Sequence, residues 1–258
     1  MRADKFFAEK FGSRTKAKEK LLRGQIYADG KQLSPDSDLT GGENFRFIED
    51  EGFVSRGGDK LERALSVFGV SVEGGVYADF GASTGGFTDC LLRRGAKKVY
   101  CIDVGENQLD PSIRESGRVV VMDQTNVRYL TGAEFSEPLD GIVSDLSFIS
   151  LRLVLPVVHR LLGQNQSAFM LFKPQFECGK GKIGKSGILP VRCHARLLDE
   201  FYDFAASLGL NVQDIVNAPV REGKNVEYVL HISKAAPSID KGEVLRRAAD
   251  FYENRISL

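Results

Sequence analysis

Tyr77 to Leu92 reads Y-A-D-F-G-A-S-T-G-G-F-T-D-C-L-L and sets a strand, a tight turn and a helix in order. A short apolar run, Val76 to Phe80, meets Gly81, Gly85 and Gly86, after which Phe87, Leu91 and Leu92 recur at helical spacing. Glycines at such a turn let the backbone approach a ligand and expose the first N–H groups of the helix. The spacing Gly81-x-x-x-Gly85-Gly86 departs from the dinucleotide fingerprint G-x-G-x-x-G, which argues against NAD. A second apolar run, Val99 to Val104, contains Asp103, 22 residues beyond Gly81, where an acid can accept hydrogen bonds from both hydroxyls of a ribose. The pair implies a ribose-bearing cofactor. The competing reading is a glycine turn that only joins two elements of an α/β core.

Working outward, strands are expected near 76–80, 98–103, 119–123, 141–145, 167–172, 210–217 and 225–232, with helices at Leu151 to Leu162 and Arg192 to Leu208. This alternation predicts a mainly parallel sheet covered on both faces. The last two strands are separated by V-N-A-P-V-R-E-G-K, too short for a crossover helix, so they pair antiparallel. Ligands bind open sheets of this type at the carboxyl ends of the parallel strands. Asp79, Asp103, Asp123, Asp145 and Lys173 all fall at such ends, and Asp123 in V-M-D-Q-T-N is placed to reach an adenine amino group. Glu227 is an acid inside the alternating run N-V-E-Y-V-L-H-I. Ahead of the sheet, V-S-R-G-G-D-K-L-E-R-A-L-S-V-F-G reads as a helix with Leu61, Leu65 and Phe68 inward. Its Lys60 falls in the first turn, where a cation opposes the helix dipole, so a functional reason for it gains weight, although on local sequence alone a surface lysine is the stronger reading.

The chain has 258 residues, 42% of them hydrophobic, enough to bury a real core, and no net charge. That zero hides an asymmetry. Residues 1–24 carry eight Lys or Arg against three acids, and residues 25–52 carry two against seven. Cys90, Cys101, Cys178 and Cys193 lie far apart with no C-x-x-C pair, so no metal site or disulfide framework is expected. With neither an apolar leader nor a run near the roughly 18 apolar residues of a membrane span, a cytoplasmic protein without membrane partners is expected. Ala3 to Phe11 predicts one helix, and a second begins at Ser13 and carries Arg14, Lys16, Lys18, Lys20 and Arg23 to Gly24. Two short strands follow around Asp29-Gly30, with one more from Phe45 to Glu49.

The openings R-A-D-K-F-F, S-R-T-K-A-K and G-Q-I-Y-A-D-G-K resemble the small RNA-binding domain named after ribosomal protein S-four. Behind it, V-S-R-G-G-D-K-L, D-F-G-A-S-T-G-G-F-T-D-C-L-L, D-L-S-F-I-S-L and F-K-P-Q-F-E resemble the TlyA or hemolysin A family, similar in its catalytic part to FtsJ-type ribose methyltransferases. The resemblance reaches about residue 234, with Phe53 where relatives often carry Trp or Tyr. It implies an α/β, Rossmann-like fold with a seven-stranded sheet whose last strand is antiparallel, behind a small α+β RNA-binding domain. The expected division is 1–50, a linker 51–55, a methyltransferase domain 56–234 and a helical tail 235–258.

The implied activity is S-adenosylmethionine-dependent 2′-O-methylation of ribosomal RNA, at cytidine. The implied catalytic tetrad is Lys60, Asp145, Lys173 and Glu227. The cofactor is expected on Asp79, Gly81, Ser83, Thr84, Gly85, Gly86, Phe87, Asp103, Asp123, Gln124 and Asp145. RNA is expected on Arg2, Arg14, Lys16, Lys18, Lys20 and Arg23, and on Lys180, Lys182 and Lys185 of the glycine-lysine stretch Cys178 to Gly187. An amine removes a proton only when neutral, so Lys60 beside Lys173 favours Lys173 as base, while tight pairing with the acids opposes it. The rivals are a non-catalytic RNA-binding protein, a membrane-lysing hemolysin and a dehydrogenase.

Overall fold

The computed structural model describes residues 1–22, 24–47, 52–179, 187–220 and 223–253. These form two compact units, Met1–Gly52 and Phe53–Leu258.

In the first unit, α1 (Ala3–Phe6) and α2 (Arg14–Leu22) precede β1 (Ile26–Ala28), β2 (Lys31–Gln32) and β3 (Phe45–Phe47). The sheet runs β2-β1-β3, antiparallel throughout. Asp29 (φ 49°) and Gly30 (φ 81°) turn the hairpin, the left-handed pair that a two-residue loop requires. The expected helix Ala3 to Phe11 ends at Phe6. The chain turns there, and Phe7 and Phe11 both reach Phe47, at ring distances of 5.8 and 6.0 Å. Of the expected strand Phe45 to Glu49, Ile48 and Glu49 lie outside the described residues.

The second unit contains α3 (Arg56–Phe68), β4 (Val76–Phe80), α4 (Gly86–Arg93), β5 (Lys98–Ile102), α5 (Pro111–Arg114), β6 (Val119–Met122) and β7 (Gly141–Ser144). It continues with α6 (Leu155–Leu161), β8 (Ser167–Phe172), α7 (Pro174–Glu177), α8 (His194–Ser207), β9 (Asn211–Asn217), β10 (Tyr228–Ser233) and α9 (Lys241–Glu253). Its seven-stranded sheet has the order β6-β5-β4-β7-β8-β10-β9, with β10 antiparallel to both neighbours and β4 to β8 mutually parallel. Strand alternation divides the core in two. Phe80, Tyr100 and Ile142 pack with α6 and α8, whereas Tyr77, Val99 and Val143 pack with Leu61, Leu65 and Leu91 of α3 and α4. Each fully buried Leu or Phe contributes about 1.5–3 kcal/mol.

One helix is interrupted where the sequence predicts it continuous. The helix expected from Leu151 to Leu162 is a 3-10 turn, Leu151–Leu153, followed by α6, because Pro156 in the first turn of α6 has no N–H and its ring excludes a helical carbonyl four residues back. The helical tail docks on the sheet's edge: Lys241 pairs with Asp199 and Asp203 of α8, and Arg247 pairs with Asp214 of β9. Ahead of α3, the Phe53 ring lies over Gly58, where any Cβ would collide with it, and Val54 N–H donates to Asp89 (2.8 Å).

Candidate active site and cofactor cavity

Parallel β4, β7 and β8 end side by side, Phe80 against Ser144 and Ser144 against Met170. The residues just beyond their ends therefore share one rim, and Asp145 and Lys173 stand on it. Strand β10 arrives from the opposite direction, pairing Tyr228 with Phe172, so Glu227, just ahead of the strand, falls at the level of Lys173. The alternating pattern puts Glu227 inside a strand; in the structure it precedes one, and its carbonyl accepts from Ala218 N–H (2.8 Å). Lys60 reaches the same place from α3, whose Ser55 cap accepts from Gly57 N–H. As the fifth residue of that helix, it lies just past the first turn in which it is expected.

Asp145 lies between the two lysines. Its Oδ1 is 2.6 Å from Lys173 Nζ, and its Oδ2 is 3.3 Å from Lys60 Nζ. Lys60 also donates to Glu227 Oε2 (2.8 Å), whose Oε1 accepts from Gln175 Nε2 (3.3 Å). Lys173, 8% exposed at its side chain, donates to Ser147 Oγ (2.7 Å). Burial works against charge on Lys60, but Asp145 and Glu227 outweigh it, so its pKa is raised and it stays an ammonium. Burial likewise opposes charge on Asp145, yet Lys60 and Lys173 prevail and its pKa is lowered. The cluster therefore has a fixed anion at its centre and a fixed cation on one side.

Beside it lies a polar cavity of about 230 Å³ lined by Ser55, Gly57, Lys60, Gly81, Ala82, Ser83, Thr84, Gly86, Phe87, Asp145, Ser147 and Lys173. A larger groove in the first unit, about 490 Å³ between Phe6, Phe7, Phe45 and Phe47, is aromatic and has no carboxylate set between cations. The glycine turn supplies one wall. At Gly81 (φ 81°) an added Cβ would come within 2.9 Å of Leu146, and at Gly86 it would strike Ser55 Oγ and the backbone of α3. These glycines thus let the Asp145 segment and the N-terminus of α3 close around the cavity.

Five residues expected to touch the cofactor, Asp79, Gly85, Asp103, Asp123 and Gln124, do not line the cavity. Gly85 (φ 92°) faces inward, where a Cβ would meet Leu109 and Ile113. Asp79 is fully buried: strand alternation turns it under α4, where Thr88 Oγ1 donates to it (2.7 Å) and its Oδ1 has no partner among the described residues. Burial pushes its pKa up to about 7 despite the Thr88 bond, with Asp145 and Asp103 adding to the rise. Asp103, just past β5, accepts from Ser83 N–H (2.9 Å) and Gly105 N–H (2.8 Å), one on each oxygen. Asp123, just past β6, has its pKa lowered by Arg114 (2.8 Å) and Asn107 N–H (3.1 Å), both on Oδ2. Gln124 turns its amide to Glu106 (3.0 Å) rather than toward the cavity.

Sequence reasoning missed Ser55, Gly57, Ala82, Ser147 and Gln175, isolated small or polar residues without a pattern of their own. Phe148 was also missed. It is 90% exposed, holds φ at 63° and sets its ring 5.1 Å from that of Phe176, which itself lies 5.8 Å from Lys173 Nζ.

Of the residues expected to meet RNA, Arg23, Lys180, Lys182 and Lys185 lie outside the described residues. Arg2 and Arg14 are already engaged. Both hydrogen-bond the buried Asp4, Arg14 through Nε (2.9 Å) and Nη2 (2.8 Å), and Asp4 is drawn down to a pKa of about 2, Arg2 first, against burial and with Arg14 adding. Lys16 and Lys18 are exposed, and Lys20 donates to Gln25 (3.4 Å) over the Phe11 ring. Among the described residues no cluster of His, Cys, Asp or Glu could hold a metal, and no helix is long and apolar enough to cross a membrane.

A doubly covered, seven-stranded sheet with antiparallel β10, a glycine turn after β4 and an acid after β5 defines a Rossmann-like methyltransferase. The chain belongs to the FtsJ-like methyltransferase family, which it matches over residues 53–234. It is 42% identical over 231 residues to YqxC of Bacillus subtilis, covering 85% of this chain and 80% of that one. To TlyA of Mycobacterium tuberculosis H37Rv, named as a 16S/23S rRNA (cytidine-2′-O)-methyltransferase, it is 38% identical over 223 residues, covering 84% and 83%. A solved protein of Streptococcus thermophilus that carries the hemolysin name superposes with a TM-score of 0.75 at 34% identity, covering 100% of this chain and 98% of that one.

Proposed function

We propose that the chain transfers a methyl group from S-adenosylmethionine to the 2′-hydroxyl of a cytidine ribose in ribosomal RNA. The observation that carries this reading is Asp145 set between Lys60 and Lys173 at the rim of the glycine-walled cavity. The cofactor supplies an electrophilic methyl group on a positively charged sulfur. The residues fit such a ligand: the turn from Gly81 to Phe87 opens its polar wall to it, and each oxygen of Asp103 keeps a lone pair for a ribose hydroxyl beyond its backbone bond. Asp123 keeps Oδ1 for an adenine amino group.

A ribose hydroxyl is a weak nucleophile and must lose its proton as it attacks. Lys173 Nζ, in its neutral form, takes that proton. Lys60 remains charged between two carboxylates and cannot serve as base; it fixes Asp145 and Glu227 instead. Phe148 offers an exposed aromatic face at the mouth of the cleft, suited to an unstacked base. In the first unit, Lys16 and Lys18 are exposed cations of α2 suited to phosphates, whereas exposed Arg14 is held by Asp4.

Lys173→Ala is expected to lower single-turnover methyl transfer to rRNA by about 10²- to 10⁴-fold while leaving calorimetric cofactor binding intact. Lys173→Arg should fail nearly as badly, since a guanidinium stays protonated. Near-normal transfer by the Ala variant would remove Lys173 from the mechanism, and near-normal transfer by the Arg variant alone would show that a fixed charge suffices.

A further inference from the structure

We propose that Ser147 is a positioning residue for the base: with Asp145 it decides which face of the Lys173 amine carries the lone pair. This rests on the reading above, in which Lys173 is the base. Among the described residues the amine has two acceptors, Asp145 Oδ1 at 2.6 Å and Ser147 Oγ at 2.7 Å. A neutral amine has two N–H groups and one lone pair in tetrahedral array. When each acceptor holds one N–H, the lone pair is left the single direction that has no acceptor, and the proton shed from the ammonium is the one on that side. The carboxylate alone fixes only one of three positions. Without Ser147 two equivalent arrangements remain, and one of them offers the hydroxyl an N–H instead of a lone pair.

Ser147 is held for this task. It follows Asp145 by two residues on the loop leaving β7, and Phe148 after it is pinned at φ 63°, a conformation few side chains adopt. The far end of the loop is tied to buried Glu177 of α7, which accepts from Ser150 Oγ (2.6 Å) and Leu151 N–H (2.7 Å). Since α7 begins at Pro174, directly after Lys173, the base and its orienting hydroxyl hang on the same clamp. The Ser147 residue itself is exposed, so its truncation leaves no core cavity.

The experiment compares Ser147→Ala, Ser147→Thr and Lys173→Ala in single-turnover methyl transfer, with KM for RNA and calorimetric cofactor affinity measured on each full-length variant. Loss of one hydrogen bond and of a twofold orientational choice predicts a fall of about 5- to 10-fold in the rate at saturation for Ser147→Ala, with KM and cofactor affinity unchanged and recovery in Ser147→Thr. An unchanged rate in Ser147→Ala, with Lys173→Ala inactive, overturns the role of Ser147 and leaves Lys173 as base. A fall in cofactor or RNA affinity that accounts for the lost rate also overturns it, making Ser147 a binding contact. Activity in Lys173→Ala removes both readings together.

Discussion

Both units place one carboxylate between two cations, and the two arrangements serve different ends. In the first unit Asp4, buried at 1% exposure, receives Arg2 and Arg14. In the second Asp145 receives Lys60 and Lys173 beside a polar cavity. A guanidinium stays charged under all ordinary conditions and grips a carboxylate with several N–H groups, so the Asp4 cluster can only hold. An ammonium, unlike a guanidinium, can give up a proton, which is the part the proposed reaction assigns to Lys173 in the Asp145 cluster. The choice of cation separates a pin from a site.

Removing the central charge in each place sharpens that contrast. Asp145→Asn is expected to lower methyl transfer by at least about 10²-fold, because neither lysine keeps its shared counter-charge. It should also cost about 1–3 kcal/mol in a denaturant unfolding curve, less than a fully buried pair because a fifth of the Asp145 side chain is exposed. Full activity in this variant would break the comparison.

Asp4→Asn should leave methyl transfer unchanged and act on acid stability. The pKa of Asp4 is depressed to about 2, so its contribution is complete above the ordinary carboxylate value near 4 and is lost as pH falls from there toward 2. The variant should lack that slope, measured by amide hydrogen exchange in α1 and β1. The same slope in both proteins would show that Asp4 is not a pin.

The smallest expected effect lies on the exposed face of α2. Lys16→Glu with Lys18→Glu should weaken RNA binding without altering unfolding, and the slope of log affinity against log salt should become shallower by about 0.7–0.9 for each phosphate that is no longer neutralised. Arg14→Glu, in contrast, should also unfold the first unit more readily, because it leaves Asp4 short of a partner. Equal salt slopes in the double variant and the parent would mean that the lysines are only solvated.

The sheet was legible because apolar runs of strand length alternate with helical spacing, and the rim because strand ends put polar residues where apolar runs stop. Asp103, Asp123, Asp145 and Lys173 could be read that way. The depth of a side chain near a strand end could not: Asp79 and Asp103 look alike in sequence, yet Asp79 pairs with Cys101 inside the sheet and is buried beneath α4, whereas Asp103 lies two residues further along, past the end of β5. Gly85 and Gly86 are adjacent, and only the backbone angles decide that one faces the core and the other the cavity. The split of the basic residues into pin and exposed face was equally hidden, since it depends on Asp4 being buried, and Asp4 carries no mark of that in R-A-D-K.

Strand β10 has a consequence for how the protein comes into being. Lys60 and Glu227 are hydrogen-bonded across 167 positions of chain, and Glu227 enters the rim only because the antiparallel strand that follows it has been laid beside β8. A nascent chain emerging from the ribosome displays its glycine turn and both lysines well before that last acid. The cleft is therefore finished only once residue 227 has been made and β10 laid beside β8, and a chain that stops short of that point lacks one of the two anions that hold Lys60.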